Sequence, residues 1–376
     1  MLKYKTAFVT FFPVIPDNMG SSAVINSRFK NWPNKKKLFQ LSHVKKLFQI
    51  SHIKKINNNK INTVFIKKES PINKIIKLPE LVFKIFQFLK KSKNNLIIIE
   101  GASWIFYSFI VLFSFKIMLP NSKIIYISHS IESEIRKKYS NKLIYYLTKF
   151  LERLVFKYSH LSTSVSKLEQ NKIRKLYNHK SILYSNAITI DNHNYNQKQK
   201  REMQQDYIIY CGSYKYKPNK NAIDYLNNKI MPSLIKKIPN LKLVLTGGGF
   251  DKKLSWIINK GIVPKKYLYN LIYYSKCMCV PLKFGSGTRI KIIEALSLGT
   301  IVISTKKGIE GIELKNKNPP FVVNNTKLFL NTIFKVIKNN RNLKIKSLND
   351  KSYYSEKYSM KNITINFIND HLMNNQ

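Results

Sequence analysis

The stretch Val280-Pro281-Leu282-Lys283-Phe284-Gly285-Ser286-Gly287-Thr288-Arg289-Ile290-Lys291-Ile292-Ile293-Glu294-Ala295-Leu296-Ser297-Leu298-Gly299 decides the reading of this chain. A strand ends at Pro281, a turn of glycine, serine and threonine follows, and an amphipathic helix begins near Thr288. Small residues in the turn let backbone N–H groups approach an anion closely. The helix N-terminus adds the positive end of its dipole. Arg289 and Lys291 bring formal positive charge to the same place, which suits a diphosphate held without a metal ion. Glu294 lies deeper in the helix, where a carboxylate accepts two hydrogen bonds from a ribose diol. Gly-x-Gly ahead of a helix is common by itself; the twenty-residue string is far more specific.

Outward from this string the same rhythm repeats. Tyr207–Cys211 reads as a strand turned by Gly212, Ala222–Lys237 as a helix, and Leu241–Thr246 as a strand closed by Gly247-Gly248-Gly249. Leu268–Ser275 and Arg289–Leu298 read as helices around the strands Cys277–Pro281 and Ile301–Ser304. In the first half the strands fall at Thr6–Phe12, Thr63–Ile66, Leu96–Ile99, Lys123–Ser128 and Leu161–Val165. Helices such as Leu78–Lys91 and Leu143–Tyr158 separate them. Apolar strands alternating with helices indicate parallel sheets covered on both faces. The polar stretch from Asp191 to Asp206 has linker composition. The expectation is therefore an α/β chain of two Rossmann-like domains facing each other across a cleft, with ligands at the carboxyl ends of the strands. The first covers 1–190, the linker 191–206, the second 207–350, and 351–376 reads as a closing helix. Residues 36–53 repeat a nine-residue unit twice, of which one copy forms the second strand and the other extends a strand or loop. The histidines it carries, His43 and His52, read as passengers.

Length and composition fit two folded domains: 376 residues, 44% of them apolar. The net charge of +47 invites a nucleic-acid reading. However, the basic residues are nearly all lysine and come with abundant asparagine and isoleucine along the whole length. That pattern is a compositional bias, a basic surface for an anionic membrane, or both; a nucleic-acid face would be clustered and rich in arginine. Cys211, Cys277 and Cys279 form neither a disulfide framework nor a zinc site, which fits the reducing cytoplasm. The N-terminal apolar run resembles a weak signal peptide but reads better as a first buried strand. Gly101–Phe115 is too short to span a bilayer. It fits either a buried helix between two strands or an interfacial helix dipping Trp104, Phe106, Tyr107, Phe109 and Phe113 into a membrane.

The 280–299 string resembles the donor-binding signature of glycosyltransferase family four, the group 1 family of GT-B fold, in its Gly-Ser-Gly-Thr-Arg subset. There two glutamates commonly stand eight residues apart; Glu294 occupies the second and Ser286 stands where the first would be. The resemblance implies Glu294 on the ribose, Arg289 or Lys291 at the phosphates, and backbone amides around Gly285, Ser286, Gly287 and Thr288 against the donor. Cys211-Gly212-Ser213 with Tyr216-Lys217-Pro218-Asn219 resembles the opening donor loop, Gly212 under the diphosphate and Lys217 as the loop's cation. Gly247 belongs to the next glycine turn, and Val263 to the segment whose backbone reads the base. On the acceptor side, Asp17-Asn18-Met19-Gly20 resembles a glycine-rich loop of which only Gly20 remains. His129, after the strand 123–128, resembles the family's cleft histidine and joins Glu294 as a catalytic candidate; as a lone histidine it reads equally as a satisfied structural residue.

The family's activity is transfer of a sugar from a nucleotide-diphosphate sugar to an acceptor hydroxyl with retention of configuration. The resemblance implies a glycan or lipid-linked acceptor, a role in surface polysaccharide or lipopolysaccharide synthesis, and a cytoplasmic site, peripheral on the membrane's inner face. No metal and no cofactor beyond the co-substrate is called for, since the chain has no Asp-x-Asp pair to hold a divalent ion. Two rival readings share the architecture: a nucleotide-sugar 2-epimerase, which wants more cleft carboxylates than a chain with 19 acidic residues suggests, and a non-catalytic sugar- or membrane-binding subunit, favoured by Ser286 and the eroded acceptor loop.

Overall fold

The computed structural model describes residues 4–11, 13–15, 20–33, 44–51, 59–189, 205–285, 287–315 and 319–373. The chain divides into two compact units: residues up to 186 together with 363 onward, and residues 187–362. Most of the linker-like stretch 191–206 lies outside the described residues.

The first unit runs β1 (Lys5–Thr10), α1 (Gly20–Asn31), β2 (Val44–Ser51), β3 (Ile61–Phe65), α2 (Pro71–Leu89), β4 (Asn95–Gly101), α3 (Ile105–Met118), β5 (Lys123–Ser128), α4 (Glu132–Tyr139), α5 (Lys142–Tyr158), β6 (Leu161–Ser164), α6 (Lys167–Tyr177) and β7 (Ile182–Leu183). Its described strands pair in parallel in the order β3-β2-β1-β4-β5-β6-β7. The period-two geometry of a strand sends alternate residues of β4 to two different cores. Ile97 and Ile99 meet α2, α3 and α5 on one face. Leu96 and Ile98 meet α1 and residues 367–372 on the other. Glu100 shares that second parity, so its carboxylate enters the same side as α1.

The second copy of the nine-residue repeat supplies β2; residues 36–43 of the first lie outside the described residues. Lys45 closes the end of α1, its Nζ donating to the carbonyls of Phe29 at 2.5 Å, of Lys30 at 3.2 Å and of Trp32. Those are the orphan acceptors of a helix C-terminus, where a cation is favoured. The helix expected at Leu78–Lys91 begins a full two turns earlier, at Pro71. Ser70 caps it by accepting from the Asn73 N–H at 3.1 Å, and Pro79 rides on its exposed side. Gly101–Phe115 contributes α3 between β4 and β5, with Ile105, Tyr107, Val111, Leu112 and Phe115 buried in the core.

The second unit runs β8 (Tyr207–Cys211), α7 (Lys217–Tyr225), a π-helical turn (Leu226–Ile230), α8 (Met231–Lys237), β9 (Lys242–Thr246), β10 (Ile257–Gly261), α9 (Lys265–Tyr274), β11 (Cys277–Val280), α10 (Ile290–Ser297), β12 (Val302–Ser304), β13 (Phe321–Val322), α11 (Thr326–Lys338), α12 (Asn340–Asn349) and α13 (Lys351–Lys357). The single helix expected at Ala222–Lys237 is thus interrupted. Pro232 brings no N–H to the ladder, and the turn before it widens to accommodate the loss. The strand order is β10-β9-β8-β11-β12-β13, again parallel. Cys277 and Cys279 are small core residues of β11, and Cys211 ends β8, buried. Beyond α13, α14 (Met360–Ile368) leads back into the first unit, so residues 351–373 hold two helices and a final π turn.

Each sheet has the order 3-2-1-4-5-6 of a doubly wound fold, which the first extends by one strand, β7. In such sheets the connections leave in opposite directions from the first and fourth strands, and a crevice opens at their carboxyl ends. In the first unit that point lies beyond β1 and β4, and in the second beyond β8 and β11.

Candidate functional site

In the second unit the loops leaving β8, β9 and β11 meet. Gly212 and Gly247 hold φ of +147° and +104°. A Cβ on Gly247 would lie 2.5 Å from the Gly212 carbonyl carbon and 2.7 Å from the Ser213 nitrogen. The two loops therefore touch backbone to backbone, and glycine is required by both torsion and space. Hydrogen bonds lock them: Gly212 N–H to Thr246 O at 2.9 Å, Tyr214 N–H to Gly248 O at 3.0 Å, and Gly247 N–H to Gly261 O at 2.7 Å. Val263 follows directly in the loop after β10, half-buried.

Asn219, early in α7, ties this loop to the motif helix. Its Nδ2 donates to Ser213 O at 3.0 Å. Its Oδ1 accepts from the Tyr210 hydroxyl at 2.8 Å and from Lys291 Nζ at 2.9 Å. Lys291 also stands over the Tyr210 ring, 4.1 Å from its centre. Burial, aided by the nearby Arg289 charge, pushes the Lys291 ammonium down to about 7. An amine so placed is poised to become fully charged when an anion arrives.

Gly285 has φ of +117° and faces the Arg289 guanidinium and the Pro218 ring. Arg289 is the N-cap residue of α10, and its Nη1 donates to the Gly287 carbonyl. The buried Thr288 hydroxyl oxygen has no hydrogen-bond partner among the described residues. Glu294, 7% exposed, accepts from the Tyr269 hydroxyl of α9 at 3.4 Å. The structure thus brings Gly212, Gly247, Gly285, Arg289, Lys291 and Glu294 to one end of one sheet. Lys217, the first residue of α7, is exposed, and Ser286 lies outside the described residues. Asn219, Tyr210 and Tyr269 escaped the sequence reading. Asn219 stood in the quoted donor loop, but nothing in its type marks it as the link to a lysine 72 residues on.

The first unit holds a second cluster at the same end of its own sheet. His129 follows β5, and its Nε2 lies 2.7 Å from Glu100 Oε2. The same oxygen accepts from Arg28 Nη1 at 2.5 Å, and both members of that ion pair are 0% exposed. The Arg28 guanidinium lies 4.7 Å from the centre of the Tyr184 ring, which stacks on Phe367. Burial pushes Glu100 up, but the Arg28 charge and the hydrogen bond from His129 outweigh it and hold the carboxyl below its ordinary range. An ionised Glu100 fixes the Nε2–H tautomer of His129 and leaves Nδ1 as the ring's remaining polar atom. Glu100 and Arg28 were not singled out from sequence. The signal was a glutamate ending an otherwise apolar strand.

Two more carboxylates shape this end. Glu132 Oε2 accepts from the Ile105 N–H at 2.5 Å, capping α3, and its other oxygen binds Arg136. Glu152 accepts from the Glu132 and Ser133 N–H groups at 2.8 and 3.1 Å, capping α4, and from the Tyr177 hydroxyl at 2.5 Å. Burial raises Glu132 to about 7, against the pull of Arg136. On the loop after β1, Val14 N–H donates to Gln49 Oε1 at 3.0 Å and Ser22 Oγ to Pro13 O at 2.8 Å. Gly20 opens α1 on the surface with open space around it; Asp17 and Asn18 lie outside the described residues. Among the described residues no three His, Cys, Asp or Glu side chains converge in a way that would hold a metal ion.

Comparison with known proteins finds a family match within the second unit. Residues 205–339 match the family model described as glycosyl transferases group 1. Over 246 residues the chain is 26% identical to an "uncharacterized 44.6 kDa protein in cps region" of Klebsiella pneumoniae; the match covers 59% of this chain and 60% of that relative's length. Among solved structures, the sucrose-phosphate synthase of Thermosynechococcus elongatus is similar with a TM-score of 0.72 at 12% identity, each chain being 98% covered. HepE of Anabaena, solved in complex with UDP and glucose, is similar with a TM-score of 0.69 at 12% identity over 98% of this chain and 99% of that one. The chain thus has the two-sheet GT-B fold, and its residues 205–339 are similar to the group 1 glycosyl transferases.

Proposed function

We propose that this chain, a GT-B fold similar over residues 205–339 to the group 1 glycosyl transferases, is a glycosyltransferase using a nucleotide-diphosphate sugar. The observation that carries the reading is the convergence of Gly212, Gly285, Arg289, Lys291 and Glu294 where the β8 and β11 loops meet. Positive-φ glycines, Gly287 among them, clear space for a diphosphate against backbone N–H groups, and Ser286 is a further donor contact in this reading. Arg289 and Lys291 balance the charge of the leaving diphosphate, and the Thr288 hydroxyl supplies one more donor. Glu294 takes the ribose hydroxyls, and the backbone at Val263 takes the base. Lys217, exposed at the start of α7, adds a further cation to the donor loop.

On the acceptor side, His129, held by Glu100, polarises the reacting hydroxyl or donor, and Asp17, Asn18 and Gly20 contribute contacts to the acceptor. Rate enhancement then comes from positioning and from charge stabilisation of the departing diphosphate, without a metal or cofactor. We place the chain in the Gly-Ser-Gly-Thr-Arg subset of family four, with retention of configuration. The cps-region relative supports a role in surface polysaccharide synthesis with a glycan or lipid-linked acceptor, and HepE's UDP and glucose support a nucleotide sugar as partner. Three buried thiols fit a cytoplasmic location.

Titration of nucleotide sugars into the wild type and Glu294→Ala tests this. Loss of two hydrogen bonds to a carboxylate predicts donor binding weaker by roughly 100-fold or more in the variant. Equal binding by both would overturn the role of Glu294. Ser286, standing where the family has its first glutamate, favours a second reading, a sugar-binding subunit without turnover. Donor binding without transfer to any acceptor would establish that reading, and sugar inversion without acceptor would reveal an epimerase.

A further inference from the structure

Unit one carries an apolar face that its own core does not use. α2, α3 and α5 pack side by side on one face of the sheet, joined through the Tyr107 hydroxyl and Pro71 O at 3.4 Å and through the Phe113 and Tyr158 rings, 5.5 Å apart. Their inward faces fill the core, yet their outward faces are apolar too. On α5, Leu143, Tyr146, Leu147 and Phe150 follow one another at helical spacing, all exposed, Leu143 at 76%. On α2, Ile72, Ile76 and Phe83 do the same, and between them α3 ends in Ile117, 81% exposed, and Met118. Exposed apolar residues scattered singly need no explanation; a stripe on each of three adjoining helices marks an interaction surface.

Charge identifies the occupant. Lys142, Lys149, Arg153 and Lys157 run along one edge of the α5 stripe, and α4 adds Lys137 and Lys138 beside it. The acidic groups nearby are already engaged: Glu152, the one acid of α5, is buried in the α4 cap, and Glu80 of α2 pairs with Lys77 and Lys84. A symmetric contact between two copies would set this basic edge against itself in a chain of net charge +47. An anionic bilayer accepts both parts at once, Leu143 and Phe150 entering the acyl boundary while lysine stems lie along it and reach the headgroups. We propose that the outward face of α2, α3 and α5 docks this protein on an anionic lipid membrane. Neither the apolar groups nor the cations belong to the sugar-nucleotide cluster, so docking stands or falls apart from the transferase reading.

Sedimentation of the full chain with vesicles tests it, using phosphatidylcholine alone and phosphatidylcholine mixed with phosphatidylglycerol. The wild type is expected to bind the mixed vesicles and to be released by salt. Leu143→Ser/Phe150→Ser should weaken binding about tenfold or more. Lys149→Gln/Arg153→Gln should cost about fivefold per charge removed on the mixed vesicles and narrow the preference for the anionic lipid accordingly. Unchanged melting temperatures in both variants establish that folding is intact. Wild type that ignores both vesicle types overturns the proposal. So does a double serine variant that binds like wild type, or a wild-type dimer that the serine substitutions dissociate while vesicles leave it untouched.

Discussion

Lys291 makes the site's chemistry testable by pH alone. Its pKa in the folded protein, about 7, lies below the ordinary value of 10.5, so above neutrality the unliganded amine is largely uncharged. A bound diphosphate favours the ammonium, so above about pH 7 binding must take up a proton and the affinity must fall as pH rises, by up to about tenfold per unit. Lys291→Met should bind more weakly at pH 6.5 and lose the slope. Calorimetry in buffers of different ionisation enthalpy reads the proton directly, and a pH-independent wild-type affinity would exclude this role for the lysine. Much of this neighbourhood was legible in the sequence, because Gly285, Arg289, Lys291 and Glu294 sit on one turn and the helix that follows it. Asn219 and Glu100 were not legible. Each matters through a partner far along the chain, Lys291 in one case and Arg28 in the other, and local spacing carries no record of such contacts. Removing either member of the buried Arg28–Glu100 pair strands the other in the core, which typically costs about 3–5 kcal/mol.

The helices of the first unit are held at their ends by side chains from other elements, and this too responds to pH. Glu132, raised to about 7 by burial, caps α3. Between the ordinary pKa near 4.5 and 7 the folded chain holds a proton that the unfolded chain has released. The stability that this proton provides is complete below pH 4.5 and lost as pH rises through 7. Glu132→Gln keeps an acceptor for the Ile105 N–H without the buried charge. It should melt with the wild type at pH 5 and be more stable at pH 8, by on the order of 1 kcal/mol. Melting curves at the two pH values decide; an equal or less stable variant at pH 8 refutes the account. At this scale the strands were the most legible elements, since parallel strands buried on both faces are written as unbroken apolar runs such as Leu96–Ile99 and Lys123–Ser128. Helix starts were less so. α2 begins at Pro71 because Ser70 caps it, although its first turns are apolar on their exposed side and give no amphipathic signal. The helix at 222–237 breaks at Pro232, where a missing N–H overrides an otherwise continuous pattern.

Across the whole molecule, the first unit depends on residues from beyond the second. Phe367, Ile368 and Leu372 are buried against Phe8, Ile25 and Tyr184, and no local pattern assigns them to that core rather than to the nearer one. A chain stopped after Asn362 forfeits all three, at about 2–5 kcal/mol for each large apolar side chain. Calorimetry should then show the first unit's transition moved sharply down or lost, with that of residues 187–362 retained. Two unshifted transitions would mean the segment is dispensable. During synthesis the same arrangement reverses the expected order of completion. Tyr184 leaves the ribosome roughly 10–35 s before Phe367 at translation rates of 5–20 residues per second. The later-made unit, contiguous in the chain, is free to finish first, while the earlier one waits with an aromatic floor bare to solvent and to chaperones.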